Sequence, residues 1–268
     1  MHCSFCLLYI AVYIEALDSP EAFKKACLEC EKPITAIKVG SSEIGVKAAF
    51  AHTASENQGH SNAEYDKLFE ESGVLREKTW QEFLDTSLAL GNCPPLRGDN
   101  VVIITNGGGA GLLAADHFER LGMPLKELKD ISPDLRENIR NYMPAFGSPL
   151  NPVDISGTAT SDMYGGALKT AYRDEHVDGI LISVCPTAVT DVEAITETVI
   201  NIHRQYKNLG KPFIMECQGG NECREAIMKL RDKGIPAYST PEQAVNAMVA
   251  LRKYSHIMNK KEKLIKNI

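Results

Sequence analysis

The sequence has no surplus of positive charge, no long apolar run and no dense set of cysteines, and each absence closes off a class of function. With 29 Lys and Arg against 35 Asp and Glu, the formal net charge of −6 excludes a generally basic nucleic-acid binder. The apolar run Phe5 to Ile14 is followed directly by Glu15, far short of the ~20 residues that a membrane-spanning helix needs. No basic segment precedes that run and no small-residue cleavage site follows it, so it does not read as a signal peptide, and the expected location is cytoplasmic. Eight cysteines in 268 residues are too few for a disulfide scaffold, and in that compartment they are expected as thiols. What is present is a globular composition, 44% hydrophobic and 24% charged, which excludes a disordered chain. The length suits two domains at ~150 residues each.

Short β-branched runs alternate with amphipathic stretches, the pattern of parallel strands covered by crossover helices, so the fold class is α/β. The first block predicts strands at Leu7 to Ile14 and Ile34 to Val39, with a third near Val74, and helices from Pro20, over Asn62 to Glu71 and over Trp80 to Leu88. The Gly- and Pro-rich stretch Gly91 to Gly98 reads as a linker. A second block then predicts strands at Val101 to Thr105, Leu125 to Leu128, Ile180 to Val184, Phe213 to Cys217 and Ala237 to Tyr238. Its helices are predicted at Leu112 to Leu121, Asp191 to Tyr206, Asn221 to Lys233 and Pro241 to Lys253. This is a flavodoxin-like parallel sheet. The expected domains are residues 1–92, incomplete as a doubly wound sheet because it has too few strands, residues 99–256, and a solvated Lys-rich tail at 257–268. The strand shortage implies a truncated chain or a sheet completed elsewhere.

Three features carry chemistry. Thr105-Asn106-Gly107-Gly108-Gly109-Ala110-Gly111 lies between a buried strand and a helix, where glycines let an anion approach free backbone amides and the helix dipole favours phosphate. It is not a Walker A loop, since no Gly-Lys-Ser/Thr follows, and Leu112 breaks the GxGxxG spacing. Gly40 to Ser55 leaves the end of a strand through glycine and serine and reaches His52. A lone His beside Ala and Phe is ordinarily structural, but an imidazole held by a carboxylate accepts phosphoryl groups, and Glu15, at the end of the neighbouring strand, is the candidate holder. Finally, Cys3-Ser-Phe-Cys6 and Cys27-Leu-Glu-Cys30 have spacing close to a four-thiolate zinc site. Cys27 and Cys30 fall within a helix rather than in turns, which favours core or surface cysteine.

Together, Tyr13-Ile14-Glu15, Lys32 to Ser55 and the glycine turn resemble the NDP-forming acyl-CoA synthetases, closest to the ADP-forming acetyl-CoA synthetase α-subunit type and more distantly succinyl-CoA synthetase. Asn151-Pro152-Val153-Asp154, Val177 to Leu181, Gly210-Lys211-Pro212, Gly234 to Tyr238 and Pro241 to Val245 extend the similarity to about residue 254. The resemblance implies two succinyl-CoA synthetase-like flavodoxin domains, with His52 as the phosphorylated histidine and Glu15 as the residue steadying it. Asn106, Gly107, Gly108, Gly109 and Gly111 would form the phosphate-facing turn. The implied reaction is acyl-CoA, ADP and phosphate giving carboxylate, CoA and ATP. No tightly bound cofactor or metal is implied. Mg-ADP or Mg-ATP and CoA would be substrates, held by an ATP-grasp domain or subunit and by a CoA-binding Rossmann domain. One departure is Thr53-Ala54 where the family usually has Thr-Gly, and the alternative reading is a catalytically silent scaffold of the same fold.

Overall fold

The computed structural model describes residues 8–52 and 61–266. The chain divides into two compact units, Met1–Gly91 with His256–Ile268, and Asn92–Ser255.

The first unit contains β1 (Ile10–Ile14), α1 (Pro20–Glu29), β2 (Ile34–Lys38), α2 (Glu43–His52), α3 (Asn62–Ser72), β3 (Leu75–Glu77) and α4 (Trp80–Asn92). The strands lie in the order β1-β2-β3, all parallel, with Ile14 opposite Lys38 and Thr35 opposite Leu75. Helix α1 starts where Ser19 accepts the Ala22 amide and Pro20 opens the first turn, both favoured at a helix start. The capping box of Ser61 and Glu64 starts α3, satisfying two otherwise orphaned amides. Ile14, Cys27, Ile34, Ala36, Tyr65, Phe69 and Val74 form the core.

The second unit runs β4 (Val101–Thr105), α5 (Gly108–Arg120), α6 (Leu128–Ile131), α7 (Leu135–Arg140), β5 (Val153–Asp154), α8 (Ser161–Arg173), β6 (Gly179–Val184), α9 (Val192–Tyr206), β7 (Phe213–Cys217), α10 (Asn221–Asp232), β8 (Ala237–Tyr238) and the part of α11 (Pro241–Lys266) up to Ser255, the rest of that helix belonging to the first unit. Its five parallel strands lie in the order β5-β4-β6-β7-β8, the flavodoxin arrangement, in which the strand order reverses beside β4. Strands β4, β6 and β7 are buried throughout, hence their continuous apolar sequences.

Three expectations differ from the structure. Leu125 to Leu128 is not a strand; the fifth strand is Val153–Asp154. The Asn151 side chain occupies the edge of β4 instead, accepting from Ile103 N at 3.1 Å and donating to the carbonyls of Val101 at 2.8 Å and Lys126 at 2.9 Å. Helix α5 begins at Gly108 rather than near Leu112, so most of the glycines lie in its first turn. The Lys-rich end is helical to Lys266 rather than irregular. There Lys261 Nζ donates to the carbonyls of Cys27 at 2.9 Å and Cys30 at 3.2 Å, satisfying groups that the end of α1 leaves open.

Candidate functional site

In the first unit, parallel pairing brings the carboxyl ends of β1 and β2 to one edge of the sheet, where open α/β sheets place ligands. Glu15 follows β1, and Lys38 closes β2. Lys38 Nζ donates to Val39 O and stands 4.8 Å from the centre of the Tyr65 ring. Burial lowers the affinity of this ammonium for its proton, Arg76 adds to that effect, and the negative charge of Glu15 opposes it. The Tyr65 hydroxyl accepts Leu17 N at 3.2 Å. Ser42 Oγ accepts Gly45 N at 3.1 Å as α2 begins. His52 is the last residue of α2, whose 1.5 Å rise per residue carries the chain about 14 Å from Glu43. The described residues therefore put Lys38 beside Glu15. Thr53, Ala54 and Ser55 lie outside them. Lys38 was legible only as a charge closing an apolar strand.

In the second unit, the glycine turn sits at the point where strand order reverses. Thr105 Oγ1 accepts Gly107 N at 3.0 Å, and Gly111 N donates to Gly107 O at 3.2 Å. No side chain caps α5, so the amides of Gly108, Gly109 and Ala110, which have no partner inside a helix, are available to an anion. Neighbouring side chains explain three glycines. A Cβ at Gly107 would stand 2.5 Å from Cys185 Sγ, at Gly108 2.8 Å from Asp154 Oδ2, and at Gly111 2.9 Å from Pro152 Cβ. At Gly109 a Cβ would meet nothing within 4 Å, and the position is exposed.

Asn106 contributes through position. Its amide nitrogen donates to Cys185 O at 2.8 Å and to Thr190 Oγ1 at 3.3 Å. Its oxygen accepts Cys185 N at 2.8 Å and lies 3.0 Å from the Tyr164 hydroxyl. All four hydrogen-bonding positions of the amide are thereby filled, leaving the backbone of the turn to face a ligand. Asp154, which the sequence reading did not single out, adds a carboxylate against Gly108. Its Oδ1 accepts Ser156 N at 2.8 Å, and Ser156 holds φ at +80°, a conformation that side-chain-bearing residues seldom adopt.

One further carboxyl lies beneath this edge. Asp154, Thr105, Ser183, Glu216 and Tyr238 are opposite one another across the five strands, and in-register side chains share a face of the sheet. Glu216 and Ser183 are fully buried and stand opposite each other on paired strands. Burial pushes the Glu216 carboxyl up to about 7; the neighbouring Ser183 hydroxyl pulls against this and the charge of Glu242 adds to it. Within the stretch Phe213 to Cys217 this residue reads as one more position of a buried strand.

The cysteines divide. Cys27 packs in the core of the first unit, where burial pushes its thiol up to about 11, and Cys30 Sγ accepts Lys32 N at 3.4 Å. Cys3 and Cys6 lie outside the described residues. Among the described residues no group of three or more His, Cys, Asp or Glu is placed to hold a metal. Cys217 and Cys223 form a disulfide, correcting the expectation that every cysteine is a thiol: the turn between β7 and α10 brings residues six apart together. No helix among the described residues is long and apolar enough to cross a membrane.

Comparison with known proteins agrees with this fold. The family model of the succinyl-CoA ligase like flavodoxin domain matches residues 8–90, and that of the Ligase-CoA domain matches residues 101–261. The chain is 42% identical over 254 residues to the α subunit of acetate–CoA ligase [ADP-forming] I of Pyrococcus furiosus, covering 92% of this chain and 52% of that one. It is 34% identical to acetate–CoA ligase [ADP-forming] of Methanocaldococcus jannaschii, covering 94% of this chain and 35% of the relative. A solved structure of the dinucleotide forming acetyl-coenzyme A synthetase 1 of Ca. Korarchaeum cryptofilum, in complex with phosphate and ADP, superposes with a TM-score of 0.85 at 32% identity, covering 95% of this chain and 55% of that one. The chain thus spans about half the length of the Pyrococcus subunit and about a third of the Methanocaldococcus protein. With two matched domains, a shared fold and the glycine turn in place, the chain belongs to the NDP-forming acyl-CoA synthetases, in the branch of the ADP-forming acetyl-CoA synthetase α subunits.

Proposed function

We propose that this chain carries the phosphohistidine step of an ADP-forming acyl-CoA synthetase, with acetyl-CoA as the first substrate to test. Phosphate attacks the thioester of acyl-CoA, releasing CoA and forming an acyl phosphate. The imidazole of His52 then takes the phosphoryl group and the carboxylate departs. ADP finally accepts the group from His52, giving ATP. The observation that carries this reading is the uncapped first turn of α5, whose free amides and open Gly109 suit a transferring phosphoryl group. Glu15 steadies the His52 ring by accepting a hydrogen bond from one ring N–H, leaving the other nitrogen free to attack. Asn106 holds the turn in place, and the backbone of Gly107, Gly108, Gly109 and Gly111 supplies its anion-facing surface. CoA and Mg-ADP are held by a CoA-binding Rossmann domain and an ATP-grasp domain outside the described residues or on a partner, and the reaction belongs to the cytoplasm.

The test combines the chain, an ATP-grasp partner, magnesium and γ-labelled ATP. Acid-labile label is expected on the wild-type chain and none on His52→Ala. Label that persists on His52→Ala removes His52 from the reaction, and a wild-type chain that binds the partner without becoming labelled leaves the scaffold reading.

A further inference from the structure

The loop after β7 holds two sulfurs that the proposed reaction does not use. Cys217 ends β7 and Cys223 lies in the first turn of α10, with Cα atoms 5.3 Å apart and the sulfurs bonded. Both residues are 1% exposed, yet residues 219–222 between them are exposed. At Gly219, where φ is +154°, a Cβ would stand 3.4 Å from Cys223 Sγ and 3.1 Å from Pro186 Cγ. Glycine therefore leaves that sulfur without a side chain over it, and a small displacement of the exposed loop admits a reagent.

The loop is also tied to the crevice. Gln218 N donates to Val184 O at 3.2 Å, and Gln218 Nε2 donates to Cys185 Sγ at 3.1 Å. Cys185 is bonded in turn to Asn106, and its sulfur fills the space over Gly107. A cross-link between residues only six apart restrains the unfolded chain less than one closing a long loop, and in the folded protein its effect falls on the loop it closes.

We propose that Cys217 and Cys223 form a reversible thiol–disulfide site whose oxidation state sets the order of residues 218–222 and, through Gln218 and Cys185, of the glycine turn. In the reducing direction the thiolate of a low-molecular-weight thiol attacks one sulfur. The S–S bond breaks, a mixed disulfide forms, and the other protein sulfur leaves as a thiolate that takes up a proton. A second molecule of the same thiol resolves the mixed disulfide, so two electrons pass to the protein and the two reductant molecules end as one disulfide. For re-oxidation by a low-molecular-weight disulfide, Cys223 has the advantage of a helix first turn, where the dipole favours the thiolate. The site depends on this thiol chemistry alone, whatever reaction the crevice serves.

The full chain, purified without reductant, is denatured and alkylated with iodoacetamide either directly or after dithiothreitol, and the peptides are mapped by mass spectrometry. Reduction is expected to add two labelled positions, Cys217 and Cys223, and glutathione disulfide is expected to remove them again. Hydrogen exchange of the native protein is then compared between forms: amides of 218–222 and 106–109 should exchange roughly tenfold faster after reduction, as local opening becomes easier. The double variant Cys217→Ser with Cys223→Ser should behave as the reduced form under both conditions. Complete alkylation without reductant, failure to re-form the disulfide, or equal exchange of these segments in the two forms each overturns the proposal.

Discussion

Asn106 and Cys185 join the ends of the two central strands through a pair of hydrogen bonds, the Asn106 amide donating to Cys185 O at 2.8 Å and accepting Cys185 N at 2.8 Å. The crevice of the second unit is therefore closed at its base by a side chain, and the glycine turn hangs from that closure. Replacing Asn106 by Ala leaves Cys185 N and Cys185 O short of a partner, while the Tyr164 hydroxyl keeps Ser183 O. Buried groups stripped in this way cost about 1–3 kcal/mol each, so Asn106→Ala should lose about 3 kcal/mol in urea unfolding. A loss below about 1 kcal/mol, within the range of one ordinary hydrogen bond, would show that water replaces the amide.

Gly109 separates folding from ligand contact. Its neighbours leave open space for a methyl group, and in a helix Ala is favoured over Gly by roughly 0.8–1 kcal/mol. Gly109→Ala should unfold at the same or a higher temperature while phosphoryl transfer to His52 falls at least about tenfold, the equivalent of 1.4 kcal/mol at the phosphate. Gly107→Ala, whose Cβ would collide with Cys185 Sγ, should instead be destabilised. Unchanged transfer in Gly109→Ala would take the α5 amides out of the reaction.

Glu216 makes stability depend on pH. Its carboxyl is raised from 4.5 to about 7 in the folded protein, so the folded state holds its proton more tightly than the unfolded state does. The stability this confers is complete below the ordinary carboxylate range and is lost as pH rises through 7, a change of about 3 kcal/mol at 1.36 kcal/mol per pH unit. Glu216→Gln should be the more stable protein in urea at about pH 8, with the difference shrinking toward pH 5. His203, lowered by burial to about 4, acts in the opposite direction: its contribution is present above its ordinary value and is lost as pH falls toward 4. It is common to both proteins and drops out of the comparison. Parallel pH profiles for the two proteins would show that Glu216 is ionised throughout.

Lys261 should report on the end of α1. Truncation in Lys261→Ala removes its bonds to the carbonyls of Cys27 and Cys30, interactions worth about 1 kcal/mol at a helix C-terminus. Hydrogen exchange of the last turn of α1 should quicken, while the second unit is unaffected. Unchanged exchange there would make the lysine an ornament of the surface.

What the sequence disclosed follows from how each element is specified. Strand β4 and helices α9 and α10 were legible within one or two residues, because apolar runs, the Asp191 cap and the glycines before Asn221 act locally. The strand expected at Leu125 was not, because membership of that edge is decided by the Asn151 side chain and by a two-residue pairing far along the chain. The glycine turn was readable as a place for an anion, from glycines set between a buried strand and a helix. Lys38, Asp154 and Glu216 were hidden, since each acquires its meaning only from neighbours that the sheet supplies.

The Asn151 amide has a further consequence for the behaviour of the molecule in concentrated solution. By answering Val101 and Ile103 itself, it denies a second molecule the row of vacant peptide groups on which β-structure spreads from chain to chain. Removing that one carboxamide would bare the template, so the first symptom of an Asn151 variant should be self-association on storage, visible by light scattering before any loss of helix.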